Sequence, residues 1–243
     1  FNAYPVKLGE PLAIDTGATT IDGVIAEAHR LGAEVLEVNH PLIPYGYFAS
    51  LDRGVAPGGF NPGFDLIEIN SDDRGDDDKV LARAWAFWNS GEQHYLAAGS
   101  DTHDVWNQLS GAVRTYAHPD GPVSALSFAR ALKAGHAYVT YGPLIFPDRM
   151  FGETIPVKAG QAFDLGFDLK AAKGLKSVSL IRRGAIVKTL DLAADGHEAR
   201  VDFPLTADAP AWYALVVEDQ AGGRAYTDPI WVDVAGAPKG APR

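Results

Sequence analysis

The residues best equipped for chemistry lie in GSDTHD, Gly99 to Asp104, and in NHP, Asn39 to Pro41. An apolar run from Tyr95 to Ala98 reads as a strand that ends at Gly99 and hands over to Ser100, Asp101, Thr102, His103 and Asp104. In extended backbone, residues two apart share a face, so Asp101 and His103 are placed to offer a carboxylate and an imidazole to one ion. Upstream, Ala33 to Val38 is another buried-strand run, followed by Asn39 and His40. Three candidate metal ligands, His40, Asp101 and His103, thus stand at the ends of two strands, where the sites of parallel α/β folds gather. This nitrogen and oxygen set suits zinc, manganese or iron and does not choose among them. Taken alone, the loop has a second reading: Asp101 caps a turn and His103 is incidental, because Asp-x-His is a short motif.

Several elements must position these groups. Ile21, Val24, Ile25, Ala28 and Leu31 recur at helical spacing, with Thr19 or Thr20 as N-cap and Gly32 as the stop. His29, beside Arg30 on that helix, reads as solvent-facing. Residues 42 to 62, rich in Gly, Pro and aromatics, read as a long loop overhanging the site, either a substrate lid or a packed surface loop. Phe64 to Asn70 is a third strand with Glu68 near its end, a ligand or base on one reading and a cap or ion-pair partner on the other. A helix follows from about Asp76 to Ser90, with Val80, Leu81, Ala84, Trp85 and Trp88 as its apolar stripe. Then come an extended piece, Ala112 to His118, a helix carrying Val123, Leu126, Ala129 and Leu132, and a strand from Ala137 to Ile145. Helix and strand alternate throughout, which predicts a largely parallel sheet or barrel covered by helices.

From Pro147 the texture changes. Short strands separated by turn signals, such as FDLGFDLK, SVSLIRRG and AWYALVVEDQ, predict a small antiparallel β-sandwich of immunoglobulin-like type. His197 falls in one of its turns and reads as inert. The expected organisation is an α/β unit over residues 1–146, the sandwich over 147–235, and a low-complexity disordered tail over 236–243. With 243 residues, 47% of them hydrophobic, the chain can bury a sizeable core. Its net charge of -10 and lack of a basic stripe argue against nucleic acid and against an anionic membrane surface as partners. The aspartates at 72, 73, 76, 77 and 78 read as a solvated loop and helix start. No cysteine is present, so metal ligands must be His and carboxylates, and no nucleophilic thiol exists.

The ordered set EVNHP, FDLIEIN, GSDTHD, GAVRTY and VTYGPL, leading into a β module, resembles the CehA/McbA-like, carbaryl-hydrolase-like metallohydrolases over about residues 1 to 235. These are a branch of the polymerase-and-histidinol-phosphatase (PHP) superfamily. The resemblance implies part of a distorted seven-stranded (β/α) barrel of PHP type holding up to three divalent metals, followed by the sandwich. By motif, His40 matches a ligand after a strand, and Asp101 and His103 match the last metal motif. The family's early His-x-His pair and the Glu and His of its next motif do not occur here, and in relatives a ligand His precedes a segment like FNAYP. The expectation is therefore a C-terminal portion whose N-terminal segment belongs to a longer chain or a separate one. The resemblance slightly favours a periplasmic or secreted location and leaves the compartment open.

The function expected is metal-dependent hydrolysis of an ester, carbamate, amide or phosphoester of a small-molecule substrate, the last making the chain phosphoesterase-like. Clustered ions would lower the pKa of a bridging water from about 15.7 towards about 7. Arg114 and Asn39 are the candidate substrate contacts, Arg114 having a structural ion pair as its other reading. Asp104 and Glu68 would hold the ligands in place from behind. The alternatives are a non-catalytic binding module for carbohydrate or protein, using Tyr45, Tyr47, Phe48 and Phe60, and a degenerate scaffold of the same superfamily.

Overall fold

Thr20 sits in extended backbone and accepts the Gly23 N–H on its hydroxyl, which starts α1 (Ile21–Arg30). At Gly32 a φ of 75° turns the chain out of the helix and into β2 (Val35–Val38). A computed structural model describes residues 1–70, 74–193 and 195–235. It continues with β3 (Leu66–Asn70), α3 (Arg74–Ser90) and β4 (Tyr95–Gly99). β2, β3 and β4 run parallel, and β2 and β3 are buried almost end to end, as strands covered on both faces are. The N-terminal segment holds β1 (Asn2–Tyr4), antiparallel to β2 at the sheet edge. Within the expected loop, Tyr47 to Asp52 form the short helix α2, and its Phe48 is fully buried.

The expected PHP-type barrel is not formed. The described residues contain fifteen strands and four helices, and the parallel run stops after three strands. Where a barrel would add another parallel strand, β5 (Arg114–Ala117) alternates in exposure, the pattern of an antiparallel strand with one wetter face. Helix α4 (Ala125–Lys133), capped by Ser124, leads into β6 (Ala137–Thr140), and β5 and β6 pair antiparallel. β6 then pairs antiparallel with β14 (Arg224–Thr227), so both strands belong to an eight-stranded sheet built largely from the second half of the chain. The parallel sheet stays open, four strands wide in the order β1-β2-β3-β4.

Ala137 to Ile145, expected as one strand, is broken by a turn. Thr140 Oγ1 donates to the Pro143 carbonyl and accepts the Gly142 N–H, and β7 (Leu144–Pro147) leaves for a three-stranded sheet with β9 (Ala162–Lys170) and β12 (Glu198–Thr206). Facing it, the large sheet contributes β10 (Leu175–Arg182), β13 (Ala211–Asp219) and β15 (Ile230–Ala235), with β8 (Thr154–Lys158) beside β15 and β11 (Ala185–Asp191) at the edge. Leu165, Phe167, Val178, Leu180, Phe203 and Leu215 fill the space between, the sandwich core that the strand pattern implied.

A second core joins the halves. Trp88 and Ala84 of α3 meet Ile67 and Leu96 on one side and Trp212, Tyr226 and Trp231 on the other. Trp88 and Trp212 meet edge to face at 5.0 Å, and their indole N–H groups donate to the His94 carbonyl and to Asn89. Asp228, fully buried after β14, accepts the Leu96 N–H of β4 at 2.8 Å. The other face of the parallel sheet, with Val35, Leu66 and Tyr95, packs on Ala129 and Leu132 of α4.

Candidate functional site

Strand alternation puts Glu37 and Glu68 on the α4 face of the parallel sheet, towards the carboxyl ends of β2 and β3. Both carboxyls are buried. Burial is the main cause that pushes Glu37 up to about 7, with the Glu68 charge adding to it and the hydrogen bond from Tyr4 opposing it. The Tyr4 hydroxyl donates to Glu37 at 2.7 Å. Glu68 is likewise raised, first by burial and less by the charge of Asp101, against hydrogen bonds from the His40 amide and Asn70. Room for it comes from the neighbouring strand: a Cβ at Gly99 would lie 1.7 Å from Glu68 Oε1.

His40 follows β2 with φ of 32°, and Asp101 follows β4 with φ of 48°. Left-handed backbone at residues other than glycine costs energy and gathers at functional sites. The His40 amide donates to Glu68 Oε2, and the Asn39 side-chain amide donates to His40 Nε2 at 2.8 Å. With Nε2 accepting, the ring proton sits on Nδ1. His40 Nδ1 and Asn39 Oδ1 are both buried without a hydrogen-bond partner, each at a cost of about 1–3 kcal/mol. His40 also lies between two cavities. One of about 90 Å³ is bounded by Leu42, Ile43, Glu68 and Asn70; the other, about 250 Å³, by Thr20, Asn39, Tyr45, Tyr47 and Ser50.

The expected metal group does not assemble. Asp101 and His103 lie in an exposed loop, with the His103 side chain 74% exposed. His103 Nδ1 donates to the Asp101 carbonyl at 2.6 Å, and its Nε2 is 3.7 Å from the Asp101 carboxylate. Among the described residues no group of three or more His, Cys, Asp or Glu stands close enough together to hold a metal ion, so the expected zinc or manganese site of His40, Asp101 and His103 is corrected. The donors present do not fit the multi-metal centre that the resemblance implied. The physical reason is local. Asp104 accepts the Trp106 and Asn107 N–H groups at 2.7 and 2.8 Å, which holds its carboxyl below the usual range, and Gln108 takes the His103 and Asp104 amides. The loop is thus shaped by an Asx-type turn at Asp104 rather than around an ion.

Arg114 is exposed at the start of β5, and its charge acts on the Tyr138 phenol. Asp72 and Asp73 of the aspartate run, and the tail from 236, lie outside the described residues. Sequence reasoning passed over Glu37 and Tyr4. The signal available was a carboxylate between the apolar residues of VLEV, Val35 to Val38, where no half-exposed strand face exists to hold it.

No protein-family model and no curated protein matches the chain. Among solved structures, it is similar to the fibronectin(III)-like modules of Clostridium thermocellum CbhA, at 10% identity over 39% of this chain and all of that one, TM-score 0.29. A lytic polysaccharide monooxygenase from Jonesia denitrificans matches at 14% identity over 63% of this chain and 94% of its own, TM-score 0.28. The sulfur carrier protein SoxY from Chlorobium limicola f thiosulfatophilum matches at 12% over 39% and 79%, TM-score 0.27. Likenesses of this strength carry no argument about what the chain does.

Proposed function

We propose that the cluster at the carboxyl ends of β2 and β3 is the reactive centre of a hydrolase acting on an ester, carbamate, amide or phosphoester of a small molecule. The observation that supports this reading is Glu68. It is a buried carboxyl raised above the ordinary range, held beside His40 and bounding a cavity, with a glycine kept on the next strand to admit it. Such a carboxyl accepts a proton from a nucleophilic water more readily than an exposed carboxylate does. His40 and Asn39 bring two buried polar atoms that the fold leaves unpaired, and a bound substrate satisfies them. Among the described residues the donors do not converge on a metal ion, so the reading rests on the Glu68 carboxyl and its neighbours.

The test is turnover on a panel of activated esters, carbamates, amides and phosphoesters, run after chelation and again with zinc or manganese added. Glu68→Gln and His40→Ala are expected to lose on the order of 10²-fold or more in kcat, the range for a removed acid–base group. Undiminished turnover in Glu68→Gln under both conditions rejects the reading.

One observation favours a binding module instead. Tyr45, 77% exposed, presents its ring edge-on to His40 at 5.9 Å beside the larger cavity, the kind of surface aromatic on which a sugar ring stacks. Saturable glycan binding without turnover, abolished by Tyr45→Ala, separates this reading from the first.

A further inference from the structure

We infer that the cavity bounded by β5, β6 and β7 binds a single-ring aromatic carboxylate. β5 and β6 are in register, with Tyr116 opposite Tyr138 and Ala117 opposite Ala137. One residue further, the His118 amide donates to the His136 carbonyl at 2.8 Å, which carries the pairing to the two histidines. Directly opposed residues of an antiparallel pair project from the same face, and every second pair shares that face. A Tyr–Tyr pair and a His–His pair therefore follow one another along one surface, and all four residues line the same cavity of about 160 Å³.

The remaining wall is apolar, from Phe146 and Pro147 of β7 with Met150 and Phe151 after it. Tyr116 and Tyr138 stack at 5.5 Å and 13°, and Tyr138 meets Phe151 edge-on at 6.1 Å. The Tyr138 hydroxyl accepts the Ile145 N–H at 3.2 Å, which fixes that ring as a rigid wall. Tyr116 and Phe146 remain 42% and 49% exposed and form an open aromatic mouth.

Size and charge select the ligand. An apolar cavity of about 150 Å³ holds one benzene ring, so this one admits a single ring and a short substituent. In a chain of net charge -10, the described wall carries two imidazoles and no carboxylate. Arg114, one pair further along the same face, adds positive potential at Tyr138. Opposed residues carry their Cβ atoms about 4.5–5.5 Å apart, a spacing from which two ring N–H groups reach the two oxygens of one carboxylate. A bound cation is disfavoured by the same inventory, since nothing anionic faces it. The cavity shares no lining residue with the Glu68 cluster, so either proposal can fail without the other.

Titration calorimetry of the full chain with phenylacetate and, separately, with 2-phenylethanol tests this. Phenylacetate is expected to bind saturably at one site, with the alcohol on the order of tenfold weaker, the worth of charge-assisted hydrogen bonds. His118→Gln and His136→Gln should each weaken phenylacetate on the order of tenfold and leave the alcohol unchanged. Absence of saturable phenylacetate binding, equal affinity for acid and alcohol, or unaltered affinity in both variants overturns the inference. The acid-against-alcohol comparison uses the unaltered chain and so requires no variant to fold.

Discussion

Replacing Gly99 by alanine places a methyl group 1.7 Å from Glu68 Oε1 and 2.8 Å from its Cδ. Ordinary carbon contacts begin at about 3.5 Å, so one of the two side chains must move by roughly 2 Å. β4 is hydrogen-bonded to β3 through Gly99 itself, opposite Asn70, so the Glu68 carboxyl is the part that gives way. In moving, it loses the His40 amide, a hydrogen bond to a charged or partly charged group worth about 1.5–3 kcal/mol. Against this stands the usual gain of about 0.5–1 kcal/mol when a glycine inside a strand becomes alanine. Gly99→Ala is therefore expected to destabilise the chain by about 1–2 kcal/mol. In a Glu68→Ala background the clash is gone and the same substitution should be neutral or mildly stabilising. Urea unfolding of the two single variants and the double variant measures the coupling directly. An equal effect of Gly99→Ala in both backgrounds would refute the claim that this glycine exists to seat Glu68.

Two further outcomes follow from the cores and the buried carboxyls. Glu37 has its folded pKa raised to about 7 from 4.5, so the fold favours the protonated acid. Its burden on stability is absent at low pH and grows as pH rises from about 4.5 to about 7. Glu37→Gln, whose amide oxygen still accepts from Tyr4, should flatten that slope and leave the variant more stable than the parent at about pH 8; urea midpoints at about pH 5 and pH 8 check the sign. Trp88→Ala removes a fully buried indole that touches Trp212 and bonds the His94 carbonyl, and a loss of about 3–5 kcal/mol is expected. A loss below about 1 kcal/mol in denaturant titration would show that α3 does not tie the two halves together.

Much of the local structure was legible in the sequence. The helical spacing of Ile21, Ala28 and Leu31, the stripe through Val80, Ala84 and Trp88, and the apolar runs before Asn39, Asn70 and Gly99 each became the expected element, because local periodicity decides which face is buried. The architecture was not. β6 takes Arg224–Thr227 as its partner, a choice made by segments far apart in the chain, and alternation of helix and strand cannot say where a parallel run ends. The site divides in the same way. Strand ends do bring Asn39, His40 and Glu68 together, as the placement rule for parallel sheets implies. Asp101 and His103 do not complete the group. Their loop takes its shape from side-chain acceptors at Asp104 and Gln108, which a two-residue spacing argument does not include. Glu37 was hidden by its own surroundings, an acidic residue flanked by Leu36 and Val38 in a run that reads as strand.

The seam between β6 and β14, with Asp228 reaching across to Leu96, sets an order of events for a chain emerging from a ribosome. Residues before 141 can form their helices and the three parallel strands early, from contacts close in sequence. Their outer strand and one backbone amide of β4 have no partner until the segment from 224 onward has been made. Until then, while residues 141 to 223 are being made, an apolar surface and a bare strand edge stand open to wrong association, and the segment from 224 onward is what closes them.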